Sequence, residues 1–232
     1  MKKKGKLIYL FLILGVSFIF SNSCKKSSDS GNNSGTVVTV TDIDGNVYPT
    51  VIIGTQTWMA ANLKTTRYRT GDSIPHVADS LQWVALTTAG YCNINNDPGT
   101  VNIYGRLYNW AAVTDSKNIA PAGWHVPTDA EWTTLLTYLG SGAGGKLKST
   151  GTTYWNSPNA GATNATGFSG LPGGDRSSNG LFHYKGIYGC FWCTTEFSAT
   201  DAWEHVLSYI SSNVTRMSYS KGLGLSVRCV KD

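Results

Sequence analysis

Charged residues are scarce in this 232-residue chain, at 14% of the sequence, and only three of them are glutamates: Glu131, Glu196 and Glu204. This scarcity limits carboxylate chemistry, because a glycoside hydrolase needs two carboxyl groups at a controlled separation. Glu196 with Asp201 or with Glu204 could form such a pair, but no motif singles these residues out. The sequence therefore gives no positive sign of catalysis, and we predict that the protein is not an enzyme.

The chain also lacks the common motifs for metals and cofactors. Its histidines stand singly, and no His-Glu-x-x-His pattern occurs. The glycine-rich segment 140–146 is close to a phosphate-binding loop, but Leu147 stands where serine or threonine would have to hold magnesium. The four single histidines are His76, His125, His183 and His205. We therefore expect no metal and no cofactor.

The apolar run near the start is too short to cross a bilayer comfortably, since this takes about 20 residues and the run covers only residues 7–20. Lysines precede the run, and Cys24 follows it closely. This order is typical of a secretory signal. The cysteine predicts a bacterial lipoprotein that is cleaved before Cys24 and acylated on it, for instance with palmitate. An ordinary signal peptide with an incidental cysteine is the alternative.

These features predict three segments: a signal peptide (1–23), a flexible tether (24–35) and a folded domain (36–232). The tether is expected because residues 25–35 contain nothing apolar to bury. The lipid would hold the protein at the outer membrane, on its periplasmic or extracellular face, so the membrane is one expected partner. Without the four lysines of the signal, 15 basic and 14 acidic residues remain. This near balance predicts no nucleic-acid partner.

Four further cysteines follow Cys24, and they are Cys92, Cys190, Cys193 and Cys229. In an oxidising compartment an even number predicts disulfides, with three possible connectivities. Cys190 and Cys193 have the spacing of a redox motif but lie in a strand-like run, where residues three apart point to opposite faces. A bridge between these two is therefore disfavoured, and Cys229 would pair with Cys92 or with one of them.

Composition and periodicity predict an α+β, β-rich domain with two helices and a large loop-rich region. The 26 glycines and few charges indicate a turn-rich, mostly β secreted domain. Apolar spacing predicts one helix over 104–113. Thr128 and Glu131 form a capping box for the second helix, which Gly140 can end. Strands are expected at 182–195, 203–210, 214–219 and 223–230.

Six motifs follow one another along the predicted domain, at residues 42–48, 51–63, 104–110, 121–132, 168–174 and 226–232. Together they resemble the Fibrobacter succinogenes major paralogous domain, which is common in surface lipoproteins of Bacteroidetes and Fibrobacteres. The family is similar to the C-type lectin-like fold, including its formylglycine-generating-enzyme branch, and the resemblance implies that fold here. Ala120 stands where the family often has a cysteine, so the resemblance does not fix the disulfide pairing.

The resemblance implies architecture more than function. The formylglycine-generating enzyme needs a redox-active cysteine pair before its final motif, and residues 214–224 contain no cysteine. The calcium-dependent sugar motifs of lectins are also absent from the sequence. Neither activity is therefore carried over to this chain.

We expect a surface-anchored, non-catalytic recognition domain that binds a glycan or a protein ligand. Loops on a rigid scaffold usually carry such contacts, and the polar, glycine-rich region 154–176 is the expected ligand loop. Trp155 would offer a flat ring face, while Asn156, Asp175 and Arg176 would supply polar contacts. In the alternative, Trp155 packs into the core, and Asp175 with Arg176 stabilises a turn.

Two other functions stay open. One is a structural or adhesion component of the cell surface, in which self-association matters more than ligand binding. The other is a glycan-active enzyme with an unrecognised site. A deep pocket that holds two carboxylates would favour the enzyme.

Overall fold

A computed structural model describes residues 38–232. The expected signal peptide, the expected lipidation site at Cys24 and the expected tether all lie outside the described residues. Within residues 38–232, every helix falls short of the length and apolar character that crossing a membrane requires. The domain is α+β and rich in strands, which confirms the predicted fold class.

The described residues form twelve strands and five α-helices. The strands are β1 (Thr39–Thr41), β2 (Val47–Ile53), β3 (Gln56–Met59), β4 (Tyr91–Cys92), β5 (Leu107–Tyr108), β6 (Trp124–His125), β7 (Asp175–Arg176), β8 (Phe182–His183), β9 (Tyr188–Glu196), β10 (Asp201–Ser208), β11 (Val214–Ser220) and β12 (Val230–Lys231). The helices are α1 (Ser80–Val84), α2 (Val101–Tyr104), α3 (Trp110–Thr114), α4 (Asp129–Leu139) and α5 (Ala143–Leu147), with short 3-10 turns at Ile94–Asn96 and Pro98–Thr100.

The first sheet joins the first and last strands of the described chain. Its order is β1-β2-β3-β12-β6, and all neighbouring strands are antiparallel. Val230 on β12 pairs with Trp58 on one side and with His125 on the other. The hairpin between β1 and β2 turns at Gly45, whose φ of 82° favours glycine. The last strand is therefore an interior strand of this sheet.

The second sheet has the order β11-β10-β9 and is also antiparallel. Val206 on β10 lies opposite Cys190 on β9, and Glu204 lies opposite Trp192 on β9 and Met217 on β11. Because side chains alternate along a strand, the sheet has two distinct faces. One face lines a pocket, and the other packs against α4.

Helix α4 forms where the sequence predicted it. The Thr128 hydroxyl accepts a hydrogen bond from the Glu131 amide, and the Glu131 carboxylate accepts one from the Thr128 amide at 2.7 Å, which is the capping box. The helix ends at Gly140, whose φ is 65°. Trp132 and the leucines of the same face are buried against β9 and β10.

The helix predicted over 104–113 is wrong, because α2, β5 and α3 divide this segment. Gly105 has a φ of 74°, and a Cβ at this position would lie 2.7 Å from the Leu63 carbonyl oxygen. The positive φ of Gly105 ends α2, and only glycine allows this close approach to the neighbouring segment. Tyr108 instead pairs with Tyr91 across β4 and β5. Tertiary pairing here outweighs a local helical pattern.

The strands predicted from residue 182 onward are partly confirmed. Those at 203–210 and 214–219 coincide closely with β10 and β11, whereas 182–195 is divided into β8 and β9. The strand predicted over 223–230 is wrong except at Val230. Within it, Leu225 bridges to β5 while Ser226 bridges to β9. Since successive residues bond to different partners, no continuous ladder forms.

The expected disulfide is not formed, since all four cysteines of residues 38–232 are free and buried. They lie in three separate parts of the core. Cys190 and Cys229 share the largest cluster, Cys193 belongs to the cluster beneath α4, and Cys92 belongs to a third. Such burial is common for free cysteines, which are among the most buried residue types in proteins.

Candidate functional site

A large pocket lies on one face of the β9–β11 sheet. Alternate residues on β10 and β11 point into it, among them Glu204, Val206, Met217 and Tyr219, and Cys190 joins them from β9. The cavity measures about 710 Å³. This volume is typical of pockets for small ligands, which enclose roughly 300–1,000 Å³.

The opposite wall of the pocket comes from β7 and the turn after β8. Gly174 pairs with Gly189 and has a φ of 68°, and a Cβ on Gly174 would lie 2.0 Å from the His183 carbonyl oxygen. Only glycine allows this close approach. The result is that Asp175, the next residue, is held against the start of β9, where its side chain lines the pocket.

Asp175 is a buried carboxyl group with an unused acceptor. It is only 8% exposed, and its Oδ1 atom has no hydrogen-bond partner among the described residues. Burial raises the pKa of Asp175 to about 6, and the nearby His183 offsets part of that increase. Asp175 is therefore largely ionised at neutral pH.

Glu204 is buried more deeply, at 3% exposure, and its Oε2 atom also lacks a partner in the described part of the chain. Trp192 and Met217 lie beside it on the neighbouring strands. Burial, and after it the charge of Asp175, raise the pKa of Glu204 to about 8. One pocket thus contains a carboxyl group that is mostly protonated at pH 7 and another that is mostly ionised.

Tyrosine rings border the two acids. Tyr184 is 50% exposed and Tyr219 is 42% exposed, although both line the cavity. Tyr188 lies beside Tyr184, with ring centroids 5.1 Å apart. The pocket therefore offers aromatic faces near its opening and carboxyl groups on its buried wall.

Comparison with known proteins identifies the family. A family model for the Fibrobacter succinogenes major domain matches residues 51–231, which is most of the chain. The chain belongs to this family. No curated protein and no solved structure matches it.

In this Fibrobacter succinogenes major domain, Asp175 lines the pocket but its neighbour Arg176 does not. The Arg176 guanidinium is fully buried and donates hydrogen bonds to the carbonyl oxygens of Val77 at 2.6 Å and Ala78 at 2.8 Å. It also lies 4.6 Å from the ring centroid of Trp83. The predicted ligand contact of Arg176 is thus corrected to a structural role.

Trp155 and Asn156 also do not line the pocket. Trp155 is 1% exposed, and its Nε1 atom donates to the Gly170 carbonyl oxygen and to Ser149 Oγ, both at 3.1 Å. It therefore presents no ring face to a ligand, and the alternative of core packing describes it correctly. Asn156 is exposed, but it is not among the residues that line the cavity.

Glu204 lines the pocket, although no sequence motif marks it as a site residue. The sequence suggested pairing it with Glu196, but Glu196 is exposed and forms an ion pair with Lys221. A usable signal was present in the strand itself. Ala202 and Val206, two positions away on either side, are apolar, so alternation places Glu204 on a buried face.

The two acids could bind hydroxyl groups or a cationic group of a ligand. An ionised carboxylate accepts hydrogen bonds, whereas a protonated carboxyl group can also donate one. Cys190 also lines the cavity but is unsuited to nucleophilic attack. Burial raises the pKa of its thiol well above the usual range, and the nearby Glu204 and Asp175 raise it further.

Proposed function

We propose that this domain is a non-catalytic recognition module whose pocket binds a glycan. The supporting observation is the presence, in one cavity, of two buried carboxyl groups with unpartnered oxygen atoms and of half-exposed tyrosine rings. A buried acceptor without a partner costs about 1–3 kcal/mol, and a ligand hydroxyl group would recover that energy.

The chemistry of sugars suits both parts of this pocket. Sugar rings have apolar C–H faces that can pack on Tyr184 and Tyr219, and hydroxyl groups around their edge. Those hydroxyl groups can donate to Asp175 and can donate to or accept from a protonated Glu204. The cavity of about 710 Å³ has room for the end of an oligosaccharide chain.

We place this module at the bacterial outer membrane, held by a lipid on Cys24, on the periplasmic or extracellular face. The proposed partners are the membrane, through that lipid, and a glycan or a surface protein. We further propose that the architecture is of the C-type lectin-like kind. The family membership supports this, together with the loop-rich stretch between α5 and β7. An experimental structure with a different topology would reject the fold assignment.

A binding measurement tests the glycan proposal. The purified chain is screened against a glycan array, and each hit is quantified by calorimetry for the wild type, Asp175→Asn and Glu204→Ala. The matched control is Glu196→Ala, which removes an exposed carboxylate outside the pocket. We expect at least a tenfold loss of affinity for the two pocket variants and no change for the control. Equal affinities in all four proteins, or no hits, would overturn the proposal.

A second candidate function is glycan hydrolysis, because the pocket acids have pKa values of about 6 and about 8. Such a separation matches the division between a general acid and a base or nucleophile. Glu204 would then protonate the leaving oxygen atom, and Asp175 would act on the opposite side. Release of reducing ends by the wild type, lost in Glu204→Gln while binding persists, would favour this function over recognition alone.

A further inference from the structure

The face of the β9–β11 sheet opposite the pocket carries a second group of reactive side chains. His205 on β10 lies between Phe191 on β9 and Arg216 on β11. Cys193, two residues after Phe191, shares that face. Asp129, the first residue of α4, lies against it, with its Oδ1 atom 3.6 Å from His205 Nε2.

These three side chains converge on one point. One potential ligand atom from each of Asp129, Cys193 and His205 lies within 4.8 Å of both others. Cys193 is fully buried and His205 is 1% exposed. The Nδ1 atom of His205 has no hydrogen-bond partner in the described structure, and the 3.6 Å approach of Nε2 to Asp129 is too long for a hydrogen bond. The imidazole is thus left poorly satisfied in a buried position.

We propose that Asp129, Cys193 and His205 form a binding site for a thiophilic divalent cation, with Zn²⁺ as the best chemical match. Zinc binds sulfur, imidazole nitrogen and carboxylate oxygen together, at about 2.0–2.3 Å. Tetrahedral geometry then requires ligand atoms roughly 3.3–3.8 Å apart, so small side-chain rotations close the site. The Trp203 carbonyl oxygen, 3.2 Å from Cys193 Sγ, or a water molecule can supply the fourth ligand.

The charges around the site are compatible with a divalent cation. Arg216 binds Asp129 through two hydrogen bonds of 2.6 Å and 2.8 Å, which fix the orientation of the carboxylate. Binding replaces the thiol proton of Cys193 by a metal–sulfur bond and releases that proton to solvent. The thiolate and the carboxylate then balance the two positive charges of the metal, so Arg216 faces a neutral site.

The same residues are poorly suited to nucleophilic catalysis. Cys193 is closed to solvent, and burial raises the pKa of its thiol to about 11. A cysteine nucleophile needs the opposite, a thiolate at neutral pH and access to substrate. The metal would instead link α4 to β9 and β10, stabilising the packing on the rear of the pocket sheet.

Cobalt substitution tests this site, since Co²⁺ bound to a thiolate gives a near-ultraviolet charge-transfer band and tetrahedral Co²⁺ absorbs strongly in the visible. The purified, metal-stripped chain is titrated with Co²⁺, and Zn²⁺ is then added to displace it. We expect one equivalent of bound Co²⁺ with both signals in the wild type. The charge-transfer band should be lost in Cys193→Ser, and affinity should fall at least tenfold in His205→Gln.

The matched controls are Cys92→Ser, another buried free cysteine, and His76→Gln, an exposed histidine outside the cluster. Both should bind Co²⁺ as the wild type does. A wild type without the charge-transfer band, or a band that survives in Cys193→Ser, would overturn the site. X-ray absorption of the Zn²⁺-loaded wild type gives a test that requires no variant: one sulfur ligand with nitrogen and oxygen supports the site, and oxygen ligands alone refute it.

Discussion

Replacing Glu204 with glutamine should make the stability of the domain less dependent on pH. The wild-type carboxyl group is 3% exposed and has an unpartnered oxygen atom, so its ionisation is costly in the folded state. Glutamine has nearly the same shape and stays neutral at every pH. The substitution therefore isolates the cost of the buried charge from changes in packing.

The sign of the pH dependence follows from how strongly the folded and the unfolded states bind the proton of Glu204. In the unfolded chain Glu204 titrates near its ordinary pKa of 4.5, whereas in the folded domain burial and the charge of Asp175 raise the pKa to about 8. The folded state therefore holds the proton to higher pH, and wild-type stability falls as pH rises between these values. One pKa unit corresponds to about 1.4 kcal/mol.

The magnitude follows from this difference in pKa. Relative to Glu204→Gln, the free energy of unfolding of the wild type should fall by about 3 kcal/mol between about pH 4 and pH 7. By pH 7 the Glu204 carboxyl group is ionised in the unfolded chain but not in the folded domain. The loss should approach about 5 kcal/mol near pH 9, where the folded carboxyl group ionises as well. The two proteins should be similarly stable near pH 4.

Urea denaturation followed by tryptophan fluorescence, repeated across this pH range, measures both stability curves. Glu196→Gln is the control, because Glu196 is exposed and its loss should change stability by less than about 1 kcal/mol. If the curves of the wild type and Glu204→Gln run parallel from acid to alkaline pH, Glu204 does not carry a buried, raised-pKa carboxyl group and the argument fails.

Three further substitutions test other parts of the fold. Trp155→Ala should lower the free energy of unfolding by about 3–5 kcal/mol, because the ring is fully buried and its indole donates to two acceptors; a loss below 1 kcal/mol in urea denaturation would contradict core packing. Lys148→Met should lower the free energy of unfolding by at least about 2 kcal/mol, since Lys148 donates to three backbone carbonyl oxygens. An unchanged melting temperature would refute this role. Burial alone would lower the pKa of His125, but its hydrogen bonds with Asp232 and Glu131 raise it overall. The wild type should therefore be more stable than His125→Gln below pH 6.5, and this advantage should disappear as pH rises through the pKa of His125 in the folded domain. An advantage that grows with pH in denaturation experiments would contradict this prediction.

Local signals predicted the elements whose stabilising groups lie close together in the sequence. The capping box of α4 joins residues three positions apart, Thr128 and Glu131, and the helix forms as expected. The strands β10 and β11 carry alternating patterns and were also found. The failures occurred where distant segments decide the structure, as at Gly105, which ends α2 with a positive φ and a backbone packed closely against Leu63. Leu225 and Ser226 likewise do not form the predicted strand, because each pairs with a different distant segment.

The sequence alone determined the family, through ordered motifs that span most of the chain, and the β-rich α+β class, through composition and periodicity. Only the tertiary structure decided which side chains meet. It places Asp175 and Glu204 in one pocket, buries Trp155 and Arg176, and brings Asp129 to His205 on the other face of the same sheet. The physical reason is strand register: a shift of one residue moves a side chain to the opposite face, and contacts between segments far apart in the sequence set that register.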